Sequence, residues 1–304
     1  MYQSRYLYST VMREFDVILR ECTSFEDFRA CIELERAVWK DDDIDVMPVR
    51  LYMLSRTCGS PTIGAFDRSG RLVGFSHTMI ALRGTRIAYH SHMLAVAEDL
   101  RDMNIGYRIK LAQRQWAIEA GIPLIFWTFD PLQSRNAHLN INKLGAIVRQ
   151  YKENYYGEGV STVFESQVPS DRLIAEWWVC SDHVTSALGG SRPVVDRDLG
   201  SVEIPDDIEA VRGESIEAHR EWRIRSREEF QAALQGGGIV RGFGRRNEEG
   251  VGRYIFGDDD PQFSFDAYPA PIVDRAYPVA TAPGTDRTYP VSAGTDEVYE
   301  VANK

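Results

Sequence analysis

The spacing of hydrophobic residues changes several times along the first part of the chain. Residues 13–22 have a pattern typical of a strand, and apolar residues then recur at near-helical spacing across 24–39, which begins with a capping serine. Residues 49–59 predict a short helix, and residues 62–84 predict a hairpin that turns at Arg68–Gly70. This part of the chain is therefore predicted to fold as strand, helix, helix and hairpin.

Strand and helix patterns alternate in the middle of the chain. A strand is predicted at 88–96, and the helix predicted at 105–120 presents one apolar face, made of Ile105, Ile109, Ala112, Trp116 and Ala120. Residues 122–131 are apolar apart from Thr128 and Asp130, as expected for a strand covered on both faces. A helix at 134–145 and a strand at 171–179 follow. This order predicts an α/β fold, with a central mixed sheet and helices on both of its faces.

The last third of the chain differs in composition. A polar linker begins near Gly189, so we predict a first domain of residues 1–188 and a small C-terminal α+β extension of residues 189–257. Residues 258–304 shift to Pro, Asp, Ala, Thr and Tyr and contain a degenerate repeat, DRAYPVATAPGTD and then DRTYPVSAGTD. They are predicted to form a disordered or loosely docked tail.

Composition narrows the functional classes. The formal net charge is −10, and an acidic chain repels phosphate backbones, so general nucleic-acid binding is disfavoured. No apolar run approaches the ~18 residues of a membrane span, and the first residues carry no apolar signal segment. The four cysteines form no CxxC pair. We interpret them as reduced and mostly buried thiols of a cytoplasmic protein.

Two segments carry a more specific pattern. In MLAVAEDLRDMNIGYRIKLAQ, Arg101, Asn104 and Gly106 lie in a turn between an apolar strand end and an amphipathic helix. In SRNAHLNINKLGA, an asparagine–alanine pair lies near the start of a helix and a glycine at its end. These segments resemble the acyl-coenzyme A signature and the second motif of the GNAT N-acetyltransferase superfamily. The segments FWTFDPLQSRNAHLNINKLGA and WRIRSREEF resemble a bacterial subgroup of unassigned substrate, and this wider likeness covers residues 12–257.

The turn supports this resemblance on physical grounds. A strand-to-helix turn exposes backbone N–H groups and the positive end of a helix dipole, which together bind anions such as a pyrophosphate. The resemblance implies the GNAT fold and an acyl-CoA co-substrate, acetyl-CoA or another acyl-CoA. The cofactor-binding residues that it implies are Leu94, Ala95 and Val96 for backbone contacts with the pantetheine arm, Asn136 for a side-chain contact with that arm, and Arg101, Asp102, Met103, Asn104, Ile105, Gly106 and Tyr107 for the pyrophosphate.

Two histidines precede this turn on the same strand. The i, i+2 spacing of His90 and His92 predicts that they share a face, together with Val96. The alternative is a bulge near Leu94–Ala95, which would rotate this parity by one residue. Some GNAT proteins use paired histidines on the equivalent strand as a base that acts through water. An amine is mostly ammonium at pH 7, and an imidazole with a pKa near ~6.5 can take the proton it must lose. We predict His90 and His92 as catalytic, and the alternative is that both are structural polar groups.

The general acid is not indicated by the sequence. The family pattern has a tyrosine four residues before the glycine that ends the second helix, and here that residue is Ile141, which we expect in the core. Water or another tyrosine (Tyr107, Tyr151 or Tyr155) are the open alternatives. The acidic run Asp41–Asp45 is either a solvated loop or a site for a cationic amine. The histidines show no metal-ligand spacing, so no metal is expected.

The function that we predict is an acyl-CoA-dependent N-acyltransferase that acts on a small-molecule amine by direct attack on the thioester. One alternative is a GNAT-fold protein that binds acyl-CoA without transfer to an amine, as a sensor, scaffold or acyl-CoA-modifying enzyme; the missing tyrosine favours it. Another is a transferase that uses aminoacyl-tRNA, which the net charge of −10 disfavours. A homodimer is a further possibility, and no membrane partner is expected.

Overall fold

The structure is a computed structural model that describes residues 15–39, 46–157, 168–191, 195, 197–244 and 250–268. The strands of these residues are β1 (Ile18–Glu21), β2 (Thr62–Phe66), β3 (Leu72–Arg83), β4 (Arg86–Val96), β5 (Leu124–Phe129), β6 (Ile147–Lys152), β7 (Arg172–Trp178), β8 (Ser201–Pro205), β9 (Ile239–Gly244) and β10 (Val251–Gly257). The helices are α1 (Phe25–Trp39), α2 (Val49–Thr57), α3 (Ile105–Glu119), α4 (Ser134–Ala137), α5 (Asp182–Leu188), α6 (Ile208–Glu214) and α7 (Ile216–Gln235). A π-helix (His138–Lys143) continues α4 directly, where the sequence predicts a single α-helix.

The described strands form one mixed sheet in the order β1-β2-β3-β4-β5-β7-β6-β9-β10-β8. β4 and β5 are parallel, and every other neighbouring pair of described strands is antiparallel. The predicted fold class, α/β with a mixed sheet, is confirmed.

Helices cover both faces of this sheet. Successive residues of β4 point to opposite faces, and Ala95 packs with Phe28 of α1 whereas Val96 packs with Ile105 and Ile109 of α3. We call these the α1 face and the α3 face. Ser24 caps α1 as predicted, because its Oγ accepts a hydrogen bond of 3.1 Å from the next turn. Apolar burial on both faces holds the central strands in place.

The C-terminal segments join the same sheet. β9 pairs with β6 at Val240 and Val148, so the strands of the predicted extension lengthen the central sheet instead of forming a separate one. At the start of the predicted tail, residues 261–263 and 265–267 form two 3-10 turns. Phe263 is 2% exposed there because it packs with Trp178 and other core residues. Residues 269–304 lie outside the described residues, and the domain boundaries stay predictions.

The other expectations from composition have mixed outcomes. Cys22 and Cys31 are buried, whereas Cys58 and Cys180 are exposed, so the prediction of mostly buried thiols holds for two of the four. Among the described helices, none combines the length and the apolar character needed to cross a membrane.

Candidate active site

The strands β4 and β5 separate after a short paired stretch. Tyr89 pairs with Ile125 and His90 with Phe126, and within the described residues the pairing ends there although both strands run on. The gap beyond, bounded by residues 91–96 and 127–129, is called the β4–β5 cleft here. Backbone N–H and C=O groups that border such a gap can pair with an extended ligand lying as an additional strand.

A β-bulge at His92 changes the direction of the side chains along β4. Thr78 of β3 pairs with Ser91, and the preceding β3 residue, His77, pairs with Met93. His92 is thus the extra residue, and the alternation of side chains shifts by one position after it.

The bulge separates the two histidines from the apolar end of the strand. Beyond it, Leu94 and Val96 pack on the α3 face. The ring of His92 lies 6.4 Å from that of His77, which is itself 4.8 Å from the ring of Tyr52 in α2. Tyr52 stacks on Phe28 of α1, so this row of rings is on the α1 face. The predicted common face of His90, His92 and Val96 is wrong for Val96.

Three imidazoles form a row on the α1 face. The ring centroids of His90 and His92 are 5.9 Å apart, and His90 lies 5.0 Å from the ring of Phe126 across the start of the cleft. His92 is exposed and His90 half-buried, whereas His77 is fully buried, with its Nδ1 2.8 Å from Thr62 Oγ1. The sequence predicts the first two, and His77 was missed because an isolated histidine on another strand gives no signal.

All three imidazoles are neutral at pH 7. Burial lowers the pKa of His77 to about 3. Burial, together with the neighbouring His92 and Lys110, lowers the pKa of His90 to about 4. The pKa of His92 is also lowered by loss of hydration. Each ring therefore has a nitrogen able to accept a proton.

The turn between β4 and α3 has the geometry of an anion site. Asp102 and Asn104 have φ angles of 69° and 61°, a conformation that asparagine tolerates better than most residues. Asn104 makes no side-chain cap, and the first helical bond runs from Arg108 N–H to the Asn104 carbonyl. The N–H groups of the first turn, including that of Gly106, therefore have no intrahelical acceptor.

The other predicted turn residues surround this helix end. Arg101 is exposed with a guanidinium nitrogen 3.9 Å from Glu98 Oε1, and Asp102 lies 3.8 Å from Arg135 of α4. Met103 is half-buried and packs with the residues under α3. The turn thus presents Arg101 and the free N–H groups on the outside and apolar contacts on the inside.

A cavity of about 760 Å³ opens beside this turn. Asn104 and Tyr107 line one side of it, and His138, Asn142 and Lys143 of the π-helix line another. The three π-helix residues were missed, since helical spacing alone does not predict a π-helix. Asn136, predicted to contact pantetheine, is exposed on α4 just before the π-helix.

The candidate acids differ in their surroundings. Ile141 is fully buried in the core, as expected. Tyr151 donates a 2.5 Å hydrogen bond to Asp171, and its pKa is raised by burial and by that carboxylate. Tyr155 is exposed. Tyr107 lines the cavity at the start of α3, and burial raises its pKa.

Two further expectations concern other ligands. The acidic run Asp41–Asp45 lies outside the described residues. In the part of the chain that the structure describes, no group of three or more His, Cys, Asp or Glu side chains is arranged to hold a metal ion.

Comparison with known proteins gives similarity in structure alone. No protein-family model and no curated protein sequence matches the chain. The ribosomal-protein-S18-alanine N-acetyltransferase from Escherichia coli is 12% identical, with a TM-score of 0.43 over 55% of this chain and 96% of that chain. An acetyltransferase of the GNAT family from Desulfovibrio desulfuricans is 14% identical, with a TM-score of 0.42 over 54% and 100%. Arabidopsis thaliana Naa50, solved with the bisubstrate analogue CoA-Ac-MVNAL, is 13% identical, with a TM-score of 0.42 over 53% and 97%.

With identities below 25% and TM-scores below 0.5, these similarities carry no conclusion about activity, so the case for an activity depends on the cleft, the turn and the histidines.

Proposed function

We propose that the protein is an acyl-CoA-dependent N-acyltransferase whose cofactor lies in the β4–β5 cleft. The separation of β4 from β5 immediately after His90 and Phe126 is the observation that carries this proposal. It leaves a strand-shaped gap in the middle of a sheet, at the place where α3 directs free N–H groups outward. An extended pantetheine arm pairs with the backbone of Leu94–Val96, and the pyrophosphate accepts hydrogen bonds from the first turn of α3.

The cavity beside the turn has room for the nucleotide end of the cofactor. Its volume of about 760 Å³ is in the usual range for a site that holds a large organic ligand. Lys143 and Tyr107 both line this cavity, and the Lys143 Nζ lies 5.9 Å from the centroid of the Tyr107 ring. A cation and an aromatic ring suit a phosphate and a purine base.

The acceptor amine approaches from the α1 face, where the histidines lie. Its nitrogen attacks the thioester carbonyl carbon, the carbon–sulfur bond breaks, and the electron pair leaves with sulfur. The amine proton passes through water to an imidazole. His92 suits this role better than His90, because it is exposed and because a proton on His90 would face both His92 and Lys110.

A panel of amines incubated with acetyl-CoA tests the proposal, with release of free thiol as the readout. We expect at least one small amine to accelerate thiol release over the rate in buffer, and His90→Gln with His92→Gln to remove that acceleration while acetyl-CoA still binds. Absence of acetyl-CoA binding in a calorimetric titration would reject the proposal.

The alternative of acyl-CoA binding without transfer is favoured by one observation. Ile141, at the position of the family's acid, is fully buried among apolar side chains. Tight acetyl-CoA binding with no thiol release for any amine would select this alternative. The small-amine acceptor, the oligomeric state and the cellular location stay predictions.

A further inference from the structure

A lysine is buried where the β4–β5 cleft begins. Lys110 of α3 is 2% exposed, and its Nζ lies 2.8 Å from Ser91 Oγ and 3.0 Å from Gln113 Oε1. The same Nζ lies 3.8 Å from the ring centroid of Trp127. Its three protons thus face two oxygen acceptors and one aromatic ring, which is a complete set of partners for a buried ammonium.

The contacts of Lys110 mark the narrow end of the cleft. The pairing of β4 with β5 ends at His90 and Phe126, so Ser91 and Trp127 are the first residues of the two strands beyond the pairing. Lys110 therefore bridges the two strands at the point of separation, on the α3 face. The histidines are on the α1 face, so a thioester at this point has imidazoles on one side and the lysine on the other.

The hydrogen bonds around Ser91 have a defined direction. Its Oγ accepts from Lys110 Nζ and, at 3.1 Å, from Gln113 Nε2, which also donates to Thr78 Oγ1 at 2.7 Å. With two incoming hydrogen bonds, the Ser91 hydroxyl keeps its own proton for a further acceptor. None of the described residues accepts a hydrogen bond from this hydroxyl.

We propose that Lys110 and Ser91 together deliver a proton to the departing thiolate of coenzyme A, in the place of the tyrosine that the chain lacks. The inference rests on the proposed function. When the carbon–sulfur bond breaks, sulfur takes the electron pair. The Ser91 hydroxyl proton moves to sulfur, a proton of the Lys110 ammonium moves to Ser91 Oγ, and the neutral amine regains its proton from water after product release.

The charge around Lys110 agrees with this role. Burial lowers its pKa to about 7. Its recorded partners from its own helix, β4 and β5 (Gln113, Ser91 and Trp127) carry no charge, and the titratable neighbour across β4 is His90, whose pKa Lys110 helps to lower. An amine with a pKa near neutrality can give up a proton and regain it within a catalytic cycle.

Titration of the thiol of bound coenzyme A tests the proposal without knowledge of the acceptor. The ultraviolet absorbance of the thiolate is followed against pH for free coenzyme A and for its complex with the wild-type protein. We expect the pKa of the bound thiol to fall by about one unit or more, a tenfold gain in thiolate fraction. Lys110→Met and Ser91→Ala should each abolish most of this fall in the thiol pKa. The control Thr78→Val removes the hydroxyl that accepts from Gln113 and should leave the thiol pKa as low as in the wild-type complex.

The outcomes separate the two proposals. If coenzyme A does not bind at all, both the proposed function and this inference are rejected. If coenzyme A binds with an ordinary thiol pKa, or if Lys110→Met keeps the shift, the role of Lys110 is overturned while the cofactor site stands. Because the wild-type shift and Ser91→Ala are decisive by themselves, a Lys110→Met protein that does not fold leaves the test intact.

Discussion

Gly106 allows the cofactor site to be weakened without harm to the fold. A Cβ built at this position would lie 3.6 Å from Val96 Cγ2 and 3.8 Å from Leu94 Cδ2, which are ordinary contacts, and its φ is not positive. Gly106→Ala should therefore leave stability unchanged or raise it by about 0.4–1 kcal/mol, because alanine restricts the unfolded chain. Those neighbours border the cleft in which the pantetheine arm is proposed to lie, so a larger side chain at 106 extends into that cleft, beside the N–H groups proposed to hold the pyrophosphate.

Gly106→Glu adds a charge at the same place. At roughly 5 Å, with an effective dielectric between about 20 and 80, repulsion from one phosphate charge is about 1–3 kcal/mol. Since 1.4 kcal/mol is about tenfold in affinity, calorimetric titration should show acetyl-CoA binding weakened by about 5-fold to 100-fold.

The matched control for this charge change is Gly213→Glu. Gly213 lies in α6, has no atom within 4 Å of its built Cβ, and does not line the cavity. Its replacement changes the net charge equally and should leave affinity unchanged. Folded Gly106→Glu protein that binds within a few-fold of wild type would refute the placement of the pyrophosphate at α3.

Three other predictions follow from named side chains. The double variant His90→Gln with His92→Gln should lower kcat about 10²–10⁴-fold at pH 7 while acetyl-CoA affinity stays near normal. Part of the rate should return at higher pH, where more of the amine is free base. An unchanged kcat would show that the imidazoles are structural. Phe263→Ala should destabilise the protein by about 3–5 kcal/mol in denaturant unfolding, and an unchanged midpoint would show that the segment after Gly257 packs only weakly. The pKa of His77 is about 3 in the folded protein and near ~6.5 in the unfolded chain. Its contribution to the free energy of unfolding is therefore complete above pH 6.5 and is lost as the pH falls, because the unfolded chain then binds a proton that the folded protein does not. The free energy of unfolding falls by about 2 kcal/mol between pH 7 and pH 5 for this reason, and that of the His77→Gln variant should depend less on pH between these values.

The sequence predicts the parts of the site that depend on local chemistry. The turn before α3 follows from Asn104 and Gly106, since few residues accept a positive φ and a close backbone approach. Ile141 in the core follows from helical spacing. Such features are encoded within a few residues, so one sequence is enough to find them.

Features that depend on pairing between distant segments were not predictable in this way. The bulge at His92 arises from its register with β3, which no spacing within β4 reveals. Lys110 and Gln113 are buried although periodicity predicts a helix face made of Ile105, Ile109, Ala112, Trp116 and Ala120. Polar residues are normally assigned to solvent, and only the tertiary structure shows that this pair and Ser91 satisfy one another inside the protein.

The position of the cofactor can be measured by amide hydrogen exchange with and without acetyl-CoA. We expect acetyl-CoA to slow exchange in two separate places, along the cleft strand at residues 93–96 and in the first turn of α3 at 105–107, with little change in α6. Saturating acetyl-CoA that leaves both segments unprotected, or that protects other segments instead, would contradict a cofactor lying between β4 and β5.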